Sequence, residues 1–217
     1  MNCIIIAGGR LNPVRTRSWS RQIQTLLKTA DLIIAADSGA GHMKKTGFLP
    51  HVIVGDLDSI DPDTLAFFRK NQVPVQSHPS RKNRTDMALC VDYAMSQGAT
   101  HMTMLAATGT RLDHTLANIL LLMPLADAGI AARIIDEKNE ICVVKDRVEL
   151  TGNPGDLVSL IPLTPTVQGV TLKGLSYPLE NHTLKMGTTL GISNFFSASC
   201  AQIFIRSGTL LVVRSMD

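Results

Sequence analysis

Two carboxylates one residue apart, Asp56 and Asp58, close the run Val52-Ile53-Val54-Gly55-Asp56-Leu57-Asp58-Ser59. The β-branched residues favour a strand, and Gly55 permits a sharp exit or the close approach of a ligand. Residues i and i+2 of an extended segment project to the same side, so Asp56 and Asp58 can face one cation. Paired carboxylates combined with bound phosphates suit Mg²⁺, which seldom takes an all-protein cage. The same letters also fit an Asp-rich turn in which Asp58 or Ser59 caps the next helix, and the pair alone leaves both readings open. Asp37-Ser38-Gly39, Lys82 to Asp86, and Thr108 to His114 are three further polar clusters, each beside an apolar run. Asp56, Asp58 and Asp86, with Lys82, Arg84 and Arg111, would serve a metal–polyphosphate ligand. The metal bridges phosphate oxygens and the cations neutralise the remaining charge. Phosphoryl transfer asks mainly for such positioning and electrostatics. Each cluster also has a plainer use. Asp37, Ser38, Thr85 and Asp86 can cap helices, Arg111 can solvate a loop, and His114 in a first helical turn can be structural.

These clusters need a frame that brings them together. Asn2 to Ala7 is an apolar run that stops at Gly8-Gly9-Arg10. Neither Gly-x-Gly-x-x-Gly nor the Walker Gly-Lys-Ser/Thr is present, so neither standard phosphate loop applies. Trp19, Ile23, Leu26 and Leu27 fall at helical spacing. Asp31 to Ala36 reads as a second strand. Asp61-Pro62 opens a helix through Leu65, Phe68 and Arg69, with a capping carboxylate and proline at the first helical position. Val73-Pro74-Val75 is a short strand at most. Met87, Val91 and Ala94 share a helix face that Gly98 can close. Thr100 to Ala106 is a strand, followed by a helix with Leu116, Ile119, Leu120 and Met123, and then the apolar run Ala131 to Ile135. Alternating strands and helices argue a largely parallel, Rossmann-like α/β sheet over residues 1–135. In open sheets of this kind ligands bind beyond the carboxyl ends of the strands, where all four clusters fall.

From Glu140 onward no helical pattern recurs. Short runs appear instead: Ile141–Val144, Leu157–Leu163, Val167–Leu172, Thr189–Ser193, Ala201–Ile205 and Leu210–Val213, separated by Gly, Pro and Asn. This predicts an all-β second domain over residues 136–217, an antiparallel sandwich or small barrel. The chain's 217 residues and 45% hydrophobic content allow a sizeable core and argue against disorder. A net charge of +3 without long runs of one sign does not suggest nucleic-acid binding. Cys3, Cys90, Cys142 and Cys200 lie too far apart for zinc or redox motifs. Scattered reduced thiols fit a cytoplasmic protein. No apolar run approaches the ~20 residues of a membrane span, and the N-terminus reads as a strand rather than a signal peptide.

Several pieces together resemble the thiamine pyrophosphokinase family from end to end. They are Ala36-Asp37-Ser38-Gly39-Ala40, Gly55-Asp56-Leu57-Asp58-Ser59, Thr85-Asp86, and Gly109-x-Arg111-x-Asp113-His114-x-Leu116-x-Asn118. Later pieces are Gly174-Leu175-Ser176-Tyr177-Pro178-Leu179, Gly191-Ile192-Ser193-Asn194 and Gly208-Thr209-Leu210-Leu211. The Gly-Asp-x-Asp-Ser and Arg-x-Asp-His pieces in combination are specific, whereas each alone is weak. The resemblance implies transfer of the pyrophosphoryl group of ATP to the hydroxyl of thiamine, with Mg²⁺, in a homodimer whose sites are shared between subunits. It implies that Asp56, Asp58 and Asp86 are catalytic and hold the metal. It assigns Asp37, Ser38, Gly39, Lys82, Thr85, Thr108, Arg111, Asp113, His114 and Asn118 to ATP, and Ser193 and Asn194 to thiamine. The chain departs from the family pattern at Asn83, Ala88 and Phe195, where members commonly carry acidic residues. Two other functions fit the same residues: a pyrophosphokinase for another small heterocyclic alcohol such as a pterin, or a nucleotide or thiamine sensor without turnover. AMP release from ATP, with and without thiamine, separates the three.

Overall fold

The computed structural model describes residues 1–12, 16–79 and 83–215; Lys82, a candidate phosphate ligand, lies outside them. The chain divides into two compact units, Met1–Glu137 and Lys138–Asp217.

The first unit alternates strand and helix. Its order is β1 (Asn2–Ile6), α1 (Arg17–Thr29), β2 (Leu32–Ala36), α2 (Gly39–Thr46), β3 (Val52–Gly55), α3 (Pro62–Lys70), β4 (Val75–Ser77), α4 (Asp86–Ser96), β5 (His101–Leu105), α5 (Leu112–Leu120), α6 (Leu122–Asp127) and β6 (Ala131–Ile135). The strands lie in the order β4-β3-β2-β1-β5-β6, and every pairing among them is parallel. The central strands are apolar throughout because helices cover both faces. Ile4, Ile6, Ile33, Ala35 and Ile53 pack with Trp19, Ile23 and Leu27 of α1, Met43 of α2 and Phe68 of α3. α4 lies against β1, β2 and β3 and buries Met87, Cys90, Val91 and Ala94. Because strand residues alternate, it takes the opposite face, where Cys3, Ile5 and Ile34 point.

Chain direction across the sheet reverses once. β1 to β4 run outward on one side, and β5 then returns to the other edge of β1. Ile4 therefore pairs with Ile33 on one side and Thr103 on the other. The carboxyl ends of β1 and β5 form the switch point at which α/β sheets bind ligands.

The second unit is a β-sandwich. One sheet has the order β12 (Asn194–Phe195), β9 (Leu157–Pro162), β14 (Leu210–Ser215), β7 (Asn139–Val144). The other has β11 (His182–Lys185), β10 (Thr166–Lys173), β13 (Cys200–Phe204), β8 (Arg147–Thr151). All these pairings are antiparallel. Val144, Val158, Leu160, Leu210 and Val212 of the first sheet pack on Val167, Val170, Leu172, Ala201 and Ile203 of the second.

The structure corrects three local readings. Residues 189–193, expected as a strand, are turn, and the strand that follows is only Asn194–Phe195. β8 and β11 carry many exposed polar residues, so their apolar pattern is too thin to read. The helix expected through Met123 is two segments, α5 and α6, and Leu112, Leu116 and Leu120 of α5 are 67%, 51% and 51% exposed. Periodicity marks a stripe without saying what covers it.

Candidate active site

Each wall of the site begins where a parallel strand ends. After β1 the chain makes the Ala7-Gly8-Gly9 turn. Its backbone is fastened to the turn after β5: Ala7 N–H donates to Leu105 O (2.9 Å), Gly9 N–H to Ala106 O (2.8 Å) and Arg10 N–H to Thr108 O (2.8 Å). A side chain on Gly9 would collide with the carbonyls of Ala106 and Thr108. A side chain on Gly8 would collide with the Ser38 hydroxyl, so the turns after β1 and β2 also touch.

After β2 and β3 come the acidic residues. Asp37 takes a left-handed φ of 46°, Leu57 one of 67°, and Ala106, at the end of β5, one of 53°. Non-glycine residues in this region cost about 1–3 kcal/mol each and cluster at functional sites. Here three of them lie at the carboxyl edge of one sheet. Gly55 lies with its α-carbon against Asp37, where an added Cβ would sit 2.9 Å from the Asp37 Cβ. The result is that carboxylate oxygens of Asp37, Asp56 and Asp58 all fall within 4.8 Å of one another. Asp37 is buried, Asp56 half-buried and Asp58 exposed. Burial pushes the Asp37 carboxyl above its ordinary range, and the charges of Asp86 and Asp56 push the same way. The Ser38 amide and the Ser59 hydroxyl oppose them.

The residues fit a divalent metal. Asp37 Oδ1 is buried and has no hydrogen-bond partner among the described residues, and a buried carboxylate is costly unless paired or coordinating a cation. An all-oxygen carboxylate set is what hard ions such as Mg²⁺ take. The membership differs from the sequence reading. Asp37, assigned there to ATP, stands with Asp56 and Asp58, while Asp86 lies outside the 4.8 Å group yet lines the same cleft.

The cleft has a volume of about 490 Å³ and is lined by Gly8, Gly9, Asp37, Ser38, Ser59, Thr85, Asp86 and the Ala106–Arg111 turn, with His114, Thr115 and Asn118 behind it. Helices α2, α4 and α5 all begin at this cleft. Helix N-termini present free N–H groups and a positive dipole end to anions. Neither Asp37 nor Ser38 caps α2 by its side chain: Ser38 sits at the cap position without such a bond. Neither Asp58 nor Ser59 caps α3, since Asp61 does so by accepting from Thr64 N–H at 2.8 Å. Thr85 caps α4 through Ala88 N–H, and Ala88 itself is buried at 7% exposure. Asn83 is exposed.

Several expected ligand groups are engaged within the unit. Arg111 donates to Asp113 Oδ2 at 2.6 Å, and this bond holds the Asp113 carboxyl down at about 2. Asn118 is buried and donates to Ala107 O at 2.7 Å. Thr108 donates to Asp136 at 2.9 Å. Asn118 and Thr108 therefore shape the turn after β5. Thr115, absent from the sequence reading, accepts from Gly109 N–H and lines the cleft; only its place one turn after Arg111 could have marked it.

In the second unit, Ser193 is exposed with φ 57°, and its N–H donates to Ser159 Oγ at 3.1 Å. Asn194 is 3% exposed. Its Oδ1 accepts from Tyr177 N–H (2.9 Å) and Phe195 N–H (2.9 Å), and its Nδ2 donates to Tyr177 O (2.8 Å). The amide thus braces the 177 turn. What it braces is an aromatic ring, Tyr177, 61% exposed and edge-on to Phe195 at 5.6 Å.

The fold and the cleft define an α/β protein suited to a polyphosphate ligand with a divalent cation, joined to a β-sandwich unit. Within that class the chain belongs to the thiamine pyrophosphokinase family. Residues 23–134 match the family described as thiamin pyrophosphokinase, catalytic domain, and residues 139–210 match thiamin pyrophosphokinase, vitamin B1 binding domain. The thiamine pyrophosphokinase of Bacillus subtilis (strain 168) is 30% identical over 216 residues, 98% of each chain. The crystal structure of thiamine pyrophosphokinase from Bacillus subtilis superposes with a TM-score of 0.87 at 28% identity, covering 100% of both chains. That of thiamin pyrophosphokinase from Geobacillus thermodenitrificans gives 0.84 at 29% identity, over 100% of this chain and 98% of that one.

Proposed function

We propose that the chain is a Mg²⁺-dependent thiamine pyrophosphokinase that converts ATP and thiamine to AMP and thiamine diphosphate. The observation that carries this reading is the convergence of Asp37, Asp56 and Asp58, of which Asp37 lines the cleft, in a chain that belongs to this family. The thiamine hydroxyl oxygen bonds to the β-phosphorus of ATP, the bond from that phosphorus to the α,β-bridging oxygen breaks, and AMP leaves with the electron pair. Mg²⁺, when held by Asp37, Asp56 and Asp58, supplies charge stabilisation on the phosphate oxygens. Asp86, at the first turn of α4, orients the hydroxyl and receives its proton. The N-terminal amides of α2, α4 and α5, with Arg111, hold the phosphates, and Lys82 adds a further cation. Asp113 keeps Arg111 extended until phosphate displaces it. His114 lines the nucleotide pocket. Ser193 and the ring of Tyr177 receive thiamine, the ring by stacking on its heterocycle, and Asn194 holds that ring in place.

We also assign the protein to the cytoplasm and to a homodimer with shared sites. Two exposed apolar surfaces support the dimer: Leu112, Leu116 and Leu120 on α5, beside the cleft, and Tyr177, Leu190 and Ile192 around Ser193. Pairing them across a two-fold axis would bring a thiamine surface of one subunit to a nucleotide cleft of the other. The test is product analysis. Thiamine-dependent formation of AMP with thiamine diphosphate is expected. Turnover with a pterin alcohol but not thiamine, or ATP binding without AMP release, overturns the reading.

A further inference from the structure

We propose that His42 is a positioning residue for the nucleotide phosphates, acting through the Gly8-Gly9 turn; the inference rests on the nucleotide reading above. His42 lies on the first turns of α2, half-buried, and its Nε2 is 2.8 Å from the Gly9 carbonyl oxygen. A carbonyl only accepts, so Nε2 carries the proton. The other ring nitrogen, Nδ1, is buried and has no hydrogen-bond partner among the described residues. Burial pushes the His42 pKa below the ordinary imidazole range, the charge of Lys45 adds to that, and the bond to Gly9 opposes it. The ring is neutral and delivers one donor to one atom.

That atom matters because of what it fixes. Gly9 donates to Ala106 O and accepts from His42, so both its backbone groups are engaged. Gly8, next to it, is exposed and lines the cleft. α2 therefore grips the turn at two points, Ser38 against Gly8 and His42 on Gly9. Two consecutive glycines have more conformational freedom than any other pair. Freed of His42, the turn would have to be ordered at the moment of binding, which weakens affinity. Losing one such hydrogen bond corresponds to a roughly 3- to 10-fold change.

The test uses the full chain and ATP with Mg²⁺ as the calorimetric probe, without thiamine. His42→Met fills the volume and removes the donor. His42→Gln keeps an N–H at about the reach of Nε2. The expected result is ATP binding roughly 3- to 10-fold weaker in His42→Met and restored to within about twofold in His42→Gln. In turnover, KM for ATP should rise while kcat and KM for thiamine hold. His42→Met binding ATP as tightly as the parent overturns the proposal. So does a loss shared equally by both variants, which marks a packing role. Thiamine-dependent AMP release by the parent chain tests the proposed reaction separately, and the affinities judge His42 whatever that assay shows.

Discussion

At the scale of single residues, the proposed metal role of Asp37, Asp56 and Asp58 sets affinity for a cation against stability. Three carboxylates within 4.8 Å repel one another when no cation is present. Asp37→Asn should therefore stabilise the metal-free protein by about 1 kcal/mol, a rise of roughly 2–4 °C in Tm for a chain of this size. It should also lose most of the stabilisation that Mg²⁺ gives the parent and lower AMP release by at least about a hundredfold. Melting curves in chelator and in rising Mg²⁺ decide this; an unchanged Mg²⁺ response in the variant would remove Asp37 from the metal set. Asp56 and Asp58 were legible as a pair because they are one residue apart, but the extended geometry expected of them is not found: β3 ends at Gly55, and Leu57 between them takes a left-handed φ of 67°. The place of Asp37 was not legible, because its carboxylate meets theirs only through the close approach of Asp37 and Gly55 on neighbouring strands. The surroundings of Asn194 were not legible either. An amide in a motif does not announce that it bonds three backbone groups of its own unit.

At the scale of elements, helix starts were the clearest signals. Asp61-Pro62 reads as a cap from the letters alone, and the cap forms. The Asp61 carboxyl lies below its ordinary 3.8, chiefly because it accepts from Thr64. A depressed carboxyl contributes stability that is complete above the unfolded value and is lost as pH falls through the folded one. Asp61→Ala should accordingly be less stable than the parent at pH 7, with the gap narrowing below pH 3.8. Asp61→Asn, which still accepts a hydrogen bond, should show a flatter acid limb than the parent. Denaturant titrations at neutral and acid pH measure both, and a parallel pH profile for all three chains would refute the assignment. Thr85→Ala removes the cap of α4 and should cost about 1 kcal/mol. Other elements were harder to read. β11 holds one buried residue in four, and 189–193 alternates like a strand but turns. Strand character there depends on neighbours, not on the run itself.

At the scale of the whole molecule, shared sites make a demand that separate sites do not. A chain with Asp56→Asn and a chain with Tyr177→Ala should each be impaired alone. In a mixed dimer one site would collect both lesions and the other none. Verified heterodimers should then recover up to about half of the parent activity, by the two-fold symmetry count. Recovery no greater than that of the two parent homodimers would mean that each site belongs to one chain. The division of the sequence into an α/β part and a β part was legible because helical periodicity stops near residue 135. The exposure of Leu112, Leu116 and Leu120 was not, since they carry the same spacing as a core stripe.

The central position of β1 has a consequence for synthesis. Its partner β2 follows closely in sequence, but β5 does not: Met1 and Thr100, joined by a 3.0 Å hydrogen bond, are 99 residues apart. A chain emerging from the ribosome thus carries one open edge of β1, with the run Cys3-Ile4-Ile5-Ile6, until β5 has been made. Parallel pairings of such long range form slowly, and an uncovered apolar edge is a template for association with other chains. Nascent chains stalled before residue 100 should therefore need a holding chaperone and should aggregate without one. Chains stalled beyond β6 should resist protease throughout the first unit. The switch point that makes a ligand crevice is, seen in time, a seam that stays open until most of that unit has been made.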